Sequence, residues 1–276
     1  MALEIADIDS SADNAAEPSR SRKFLVRHAS FMVGSLTILL LGLAWEFARP
    51  LGLPGLSRLP APTAIVAAST ELLHSPMFWE ACYKSTLRII SGFCLAQIVG
   101  IPLGFIMATN RTIFNSAFPV AETLRPIPPV AWIPISIIFW PTREASTIFI
   151  VFLGAFWIVL LNTIGGVSTI DQTYRRAALS LGSSRGHLLR YIIFPAALPT
   201  IVTGMVISMG ICWEMVVAAE MIAGDTGLGY LLWQSFEISA TAQVLVCMFT
   251  IGLAGFLSSA AIRKLGRLLT PWSPNE

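Results

Sequence analysis

The chain alternates long uncharged apolar runs with short polar, basic stretches. A bilayer core takes about 20 apolar residues per helix. Ala29–Trp45, Ile89–Asn110, Ala145–Ile170, Tyr191–Trp213 (extending to about Ile222) and Ile238–Ile262 meet or approach that length. One more run, third of the six in chain order, is Pro126–Thr142 reaching back to about Phe114, and it carries Pro126, Pro128, Pro129 and Pro134. Proline removes a backbone donor, and such breaks are tolerated at membrane depth where the freed groups are buried in protein or line a wet cavity. The pattern predicts an all-α integral membrane protein of about six transmembrane helices, with both termini on one side. Pro54, Pro60 and Pro62 mark a loop after the first run. Thr63–Leu73 and Met77–Ile90 read as further helices, the first lying at the membrane interface.

The stretch Asp171–Pro199, DQTYRRAALSLGSSRGHLLRYIIFPAALP, follows the fourth run and leads into the fifth. Helical spacing puts Tyr174, Ala177, Ala178 and Leu181 on one face, with Arg175 and Arg176 beside it. Asp171 is placed to cap the start, and Gly182 to end the helix in a left-handed turn. Ser183 and Ser184 give a second start signal, for an apolar-basic helix up to Pro195. Two short helices joined by glycine, with small residues on one face, make a surface that another protein can approach closely.

Composition agrees with a membrane protein. Of 276 residues 55% are hydrophobic and 12% charged, whereas soluble domains run about 45–50% apolar and about 25% charged. Net charge is +2, too small to suggest nucleic acid. Cys82, Cys94, Cys212 and Cys247 are scattered, which argues against a disulfide framework or a metal site. Met1–Ser19 is polar and acidic and lacks the basic start and apolar core of a signal peptide. The expected layout is a disordered tail over residues 1–28, a membrane domain over 29–267 with a polar loop at 168–196, and a tail over 268–276. Twelve of the eighteen basic residues fall on the side that holds the N-terminus, among them Arg175, Arg176, Arg185 and Arg190. The excess of Lys and Arg on cytoplasmic loops puts both termini and the Asp171–Pro199 segment in the cytoplasm.

Ionisable groups at membrane depth are costly and usually functional. Glu122 and Arg125 are spaced i, i+3 in the third run, and Glu214 lies in the fifth. At 1.5 Å per residue their depths are compatible with one cluster. Arg125, Trp213 and Glu214 are candidates to border a translocation path, together with Glu122 and Trp132. A charge network that only locks helices explains the same residues. Glu220 is expected near the outer interface. Gly224, Gly227 and Gly229 follow it, and then LLWQSFEI, Leu231–Ile238, reads as a short helix dipping back toward the path with Gln234 on it.

No GxxxxGK[ST], HExxH or GxSxG occurs, so the chain has no ATP-binding P-loop and no evident catalytic or metal constellation. An ion-gradient-driven carrier or channel using Glu122, Arg125 and Glu214 is one reading. It leaves the Asp171–Pro199 pattern unexplained.

That pattern resembles a known one. Arg176-Ala177-Ala178, then Gly182, then Ile192, Phe194 and Pro195 follow the spacing of the EAA loop of ABC importer permeases. LRPIPPVAWIP at Leu124–Pro134, FLGAFWIVLLNT at Phe152–Thr163 and VAAEMIAGDTGLGYL at Val217–Leu231 are similar to the nitrate/sulfonate/taurine/bicarbonate-type branch. Arg176 stands where the family usually has Glu, and Phe194 where it usually has Leu. The resemblance implies a type I ABC importer permease in the bacterial inner membrane, multi-pass and not an enzyme. It implies a second copy of this chain, two cytoplasmic ATPase subunits that hold ATP and magnesium, and a periplasmic substrate-binding protein. No cofactor or metal is expected on this chain. Arg175, Arg176, Ala177, Ala178, Gly182, Arg185, Ile192 and Pro195 would couple it to the ATPase, and Glu122, Arg125, Trp132, Trp213, Glu214, Glu220 and Gln234 are candidates along the path.

Overall fold

The computed structural model describes residues 59–272, with 33–34, 36–37 and 40–47 before them. The tail expected over residues 1–28 lies outside the described residues, as does most of the first apolar run. The chain divides into two units, residues 1–64 and 65–276. In the first, residues 40–47 are helical, and Glu46 accepts hydrogen bonds from Thr63 N–H (3.3 Å) and Oγ1 (3.0 Å).

Among the described residues the second unit is built of helices. Helix α1 (Pro62–Leu73) matches the bounds of the helix expected over Thr63–Leu73 and buries Ile65, Ala68 and Leu72, an i, i+3, i+7 stripe. Helix α2 (Pro76–Thr109) corrects the expectation of two separate elements. Its 34 residues span about 51 Å at 1.5 Å each, and the polar Ser85 and Arg88, which stand just before the apolar run from Ile89, lie inside it. They do not end the helix because both are buried against protein partners.

Asn110 closes α2 and caps α3 (Arg111–Leu124), accepting from Thr112 N–H at 3.0 Å and Ile113 N–H at 3.3 Å. The prolines break the third run as their chemistry requires. After α3 come a non-helical stretch through Pro128, a 3-10 turn at Pro129–Trp132, and α4 (Ile133–Phe139). Neither piece reaches eighteen residues, so this run is two short helices and not one continuous span.

Helix α5 (Arg143–Ser168) is the centre of the bundle. Ile150, Val151, Ala155 and Val159 are fully enclosed. In lipid, helices gain little from the hydrophobic effect and associate through close packing at small residues. Gly92 and Gly104 supply that contact. A Cβ on either would stand 2.7–2.9 Å from Val151 and Ile148 O, or from Thr163 and Leu160 O, on α5. The pairs climb together in sequence, so α2 and α5 run parallel. Glycines at 154, 166 and 204 form the second seam, between α5 and α8, which run antiparallel.

The polar segment forms α6 (Gln172–Ser180) and α7 (Arg185–Leu188). The second short helix does not stop at Pro195. A π-helical turn at Leu189–Ile193 carries it into α8 (Phe194–Ala223), and Phe194 N–H donates to Leu189 C=O, five residues back. Pro195 follows the π-helical turn directly, inside a helical run that continues to Ala223. Then follow α9 (Leu228–Glu237) and α10 (Thr241–Leu269), so that α10 extends two residues past the expected end of the membrane domain. Among the described residues, four stretches are long and apolar enough to cross a membrane: α2, α5, Arg185–Ala223 and α10.

Candidate functional site

At one end of the bundle stands the α6–α7 segment. Asp171 caps α6, accepting from Thr173 N–H and Oγ1, both at 2.8 Å. Those donors hold its carboxyl below the usual aspartate range. Gly182 adopts φ +80°. Gly182 N–H donates to Leu179 C=O and Ser183 N–H to Ala178 C=O, each at 3.0 Å, the paired bonds of a glycine-terminated helix. Ser184 Oγ accepts from His187 N–H at 3.3 Å and starts α7.

The expected face splits in two. Ala178 is buried with Val167, Leu188, Ile193, Ala197 and Ile201, which pins α6 onto the ends of α5 and α8. Tyr174, Ala177 and Leu181 remain exposed, Leu181 at 88%. Arg176 and Arg185 are exposed beside them, and Arg175, Ile192 and Pro195 are half-buried. The segment is therefore a rigid, capped knob with an apolar-basic outer surface. Beside it opens an apolar hollow of about 350 Å³ lined by Ile170, Tyr174, Tyr191, Ile192, Pro195, Ala196 and Trp272.

At the opposite end lies a charge network that the sequence reading did not assemble. Glu220 in the last turn of α8 is fully buried, and Arg88 on α2 is 2% exposed. Arg88 Nη1 donates to Glu220 Oε1 (2.7 Å) and to Thr226 C=O (2.6 Å). Its Nε and Nη2 donate to the two carboxylate oxygens of Glu144 at 2.7 and 2.6 Å, and Nη2 reaches Thr226 Oγ1 at 3.0 Å. Glu220 also accepts from Ser85 Oγ (2.8 Å) and Gly229 N–H (2.9 Å). Ser85 Oγ in turn accepts from Leu228 N–H at 2.8 Å. Gly227 has φ +117°, and a Cβ there would overlap the Glu220 carboxylate.

The intramembrane candidates fare differently. Glu122, Arg125 and Glu214 are exposed and make no ion pair among the described residues; the pairs present are those of Arg88 with Glu144 and Glu220. The single chain does not bring the three together. Trp213 is buried, its Nε1 donating to Ser258 Oγ on α10 at 3.0 Å. Trp132 packs on Ile133, Ile150, Ala219 and Ala223, and Gln234 is half-buried on α9. Sequence reasoning placed Glu220 near the outer interface and missed its partner, because 132 residues separate it from Arg88. It also passed over Gln97 on α2, whose amide nitrogen and oxygen are enclosed with no hydrogen-bond partner.

Known proteins resemble this chain over most of its length. Residues 100–272 match the family described as "binding-protein-dependent transport system inner membrane component". The chain is 34% identical to the taurine transport system permease protein TauC of Escherichia coli, over 90% of this chain and 91% of that one. It is 32% identical to the nitrate import permease protein NrtB of Synechocystis sp., over 78% and 82%. Among solved structures, the inward-facing MetNI methionine ABC transporter aligns at a TM-score of 0.60 and 18% identity, over 71% of this chain and 99% of that one, a likeness of fold.

Proposed function

We propose, from the premise that this chain belongs to the family of binding-protein-dependent transport system inner membrane components, that it is the permease subunit of an ATP-driven importer. Two copies sit in the bacterial inner membrane with two cytoplasmic ATPase subunits, and an extracytoplasmic binding protein delivers the solute. The end that carries α6 and α7 faces the cytoplasm, in agreement with the basic residues gathered there.

The observation that carries this reading is the α6–α7 knob. It is capped at its start and closed by Gly182 in the left-handed region. It presents Tyr174, Ala177, Leu181, Arg176 and Arg185 outward. A buried Ala178 and the unbroken run from Arg185 to Ala223 tie it rigidly to the spans. Force applied to the knob by an ATPase therefore moves α5 and α8 directly. Arg176, where the family usually carries Glu, meets an acidic residue of its partner.

A second copy supplies what one chain lacks. The membrane-crossing stretch of α10 is only 11% buried, and Phe249, Leu253, Phe256 and Leu257 stand outside. Glu122, Arg125 and Glu214, apart and exposed within one chain, line the path between copies in this reading. The solute is a small compound of the sulfonate, taurine or nitrate type. Relatives named for taurine and for nitrate are about equally similar, which fits a selection made mostly by the binding protein.

Co-purification tests the reading. The tagged chain is expressed with the ATPase encoded beside it, as wild type and as Gly182→Asp. Wild type retains the ATPase and the variant loses it. If neither retains it and vesicles take up solute without ATP, a gradient-driven carrier replaces the importer.

A further inference from the structure

The network around Glu220 lies at the end of the bundle away from the coupling knob, and the importer reading gives it no task. Its members come from distant parts of the chain: Ser85 and Arg88 on α2, Glu144 at the start of α5, Glu220 at the end of α8, Thr226 in the following loop. All five N–H groups of the Arg88 guanidinium have acceptors there. A helix N-terminus leaves several N–H groups unpaired and carries partial positive charge. The first two N–H groups of α9 end in this network, Leu228 on Ser85 and Gly229 on Glu220. Side chains of two other helices thus cap α9. The loop before it is held too, by Thr226 C=O and Oγ1 on Arg88.

A lid that swings alone hinges on weakly held backbone. Here the opposite holds. Lifting α9 and its loop away from α2 and α8 would strand the N–H groups of Leu228 and Gly229 and take the two Thr226 acceptors from the buried Arg88 guanidinium, and a buried polar group left without its partner is costly.

We propose that Arg88, Glu144 and Glu220 are positioning residues of the transport cycle: Arg88 and Glu220 fasten α9 and the loop before it to α2 and α8, and Glu144 of α5 holds the Arg88 guanidinium in place, so that α9 moves as one body with those spans. The inference rests on the importer reading and assigns its outer moving part.

Ala81 on α2 and Leu231 on α9 line one small cavity of about 30 Å³. In a background lacking the four native cysteines, the pair Ala81→Cys and Leu231→Cys is joined by a short bis-thiosulfonate. The complex with its ATPase is placed in lipid vesicles. Hydrolysis of Mg-ATP is measured with and without the purified binding protein. The bridged complex keeps its stimulation by binding protein within about twofold of the unbridged one. Glu220→Gln lowers that stimulation about fivefold or more, the scale of a typical coupling between sites, and the bridge restores it. A residue needed only for folding would gain nothing from a bridge placed afterwards. Loss of stimulation on bridging, regained on reduction, overturns the proposal, as does full stimulation in Glu220→Gln. The bridged arm needs no network variant to fold. If the wild-type complex hydrolyses no ATP at all, the importer reading falls and this inference falls with it, by a different observation.

Discussion

The Glu220 carboxylate and the Arg88 guanidinium meet at 2.7 Å across 132 residues of sequence, both 2% exposed or less. Taking two charges out of water is costly, and the pair is tolerated because each partner is saturated with further hydrogen bonds. Glu144 differs. It shares the same guanidinium but is 46% exposed.

That contrast orders the variants. Arg88→Met leaves Glu220 without its counter-ion and is expected to cost about 3–5 kcal/mol, the range for removing one partner of a buried pair. Glu144→Gln leaves Arg88 still balanced by Glu220 and is expected to cost about 1 kcal/mol or less. Thermal unfolding of the detergent-purified chain measures both. Equal losses would mean that the exposed carboxylate is the true anchor.

Gly227→Ala sets a Cβ against the Glu220 carboxylate in a backbone region that side chains avoid. The start of α9 must shift, releasing the bonds of Leu228 and Gly229 N–H. Ser235 on α9 is 2% exposed. In a Ser235→Cys reporter, thiol labelling is expected to rise about tenfold or more when Gly227→Ala is added, as local opening becomes easier by about 1–3 kcal/mol. Unchanged labelling would show that the loop absorbs the methyl group without moving α9.

Much of this was legible in the sequence, for reasons that are local. Asp171 as cap and Gly182 as left-handed terminator follow from the chemistry of single residues, and both are found. The broken third run follows from prolines that cannot donate. What failed was non-local or depended on satisfaction elsewhere. Ser85 and Arg88 look like the polar end of a span until their partners on α8 and α5 are known. Pro195 looks like a stop until the π-helical turn before it is seen. The cluster of Glu122, Arg125 and Glu214 was inferred from depth alone; within one chain the three are exposed and make no ion pair among the described residues. The available hint to the real network was Gly224, Gly227 and Gly229 just after Glu220, a run of missing side chains beside a carboxylate.

The left-handed turn at Gly182 gives a graded test at the other end. Added atoms there meet open space, so backbone strain alone decides the effect within the chain. Asn enters this region at small cost, Ala at about 1 kcal/mol, and Val at more. Retention of the ATPase should fall in the order Gly, Asn, Ala, Val. Equal retention in all four would show that the turn does not set the docking geometry. A loss in Asn as large as that in Val would point to contact with the partner itself.

Gln97 supplies a last prediction, of opposite sign. Its amide nitrogen and oxygen are enclosed on α2 without a partner, a state that costs about 1–3 kcal/mol. Met has nearly the same length and no donor or acceptor to satisfy, and it adapts to irregular gaps. Gln97→Met is therefore expected to stabilise the isolated chain by about 1–2 kcal/mol and raise its unfolding temperature. A lowered temperature would mean that the amide is bonded in the folded chain after all. The same variant, placed in the assembled transporter, separates burden from use. If stability rises while uptake falls, the orphaned amide is kept for the solute or for the moving helices, because a group that only destabilised the fold could be removed without loss.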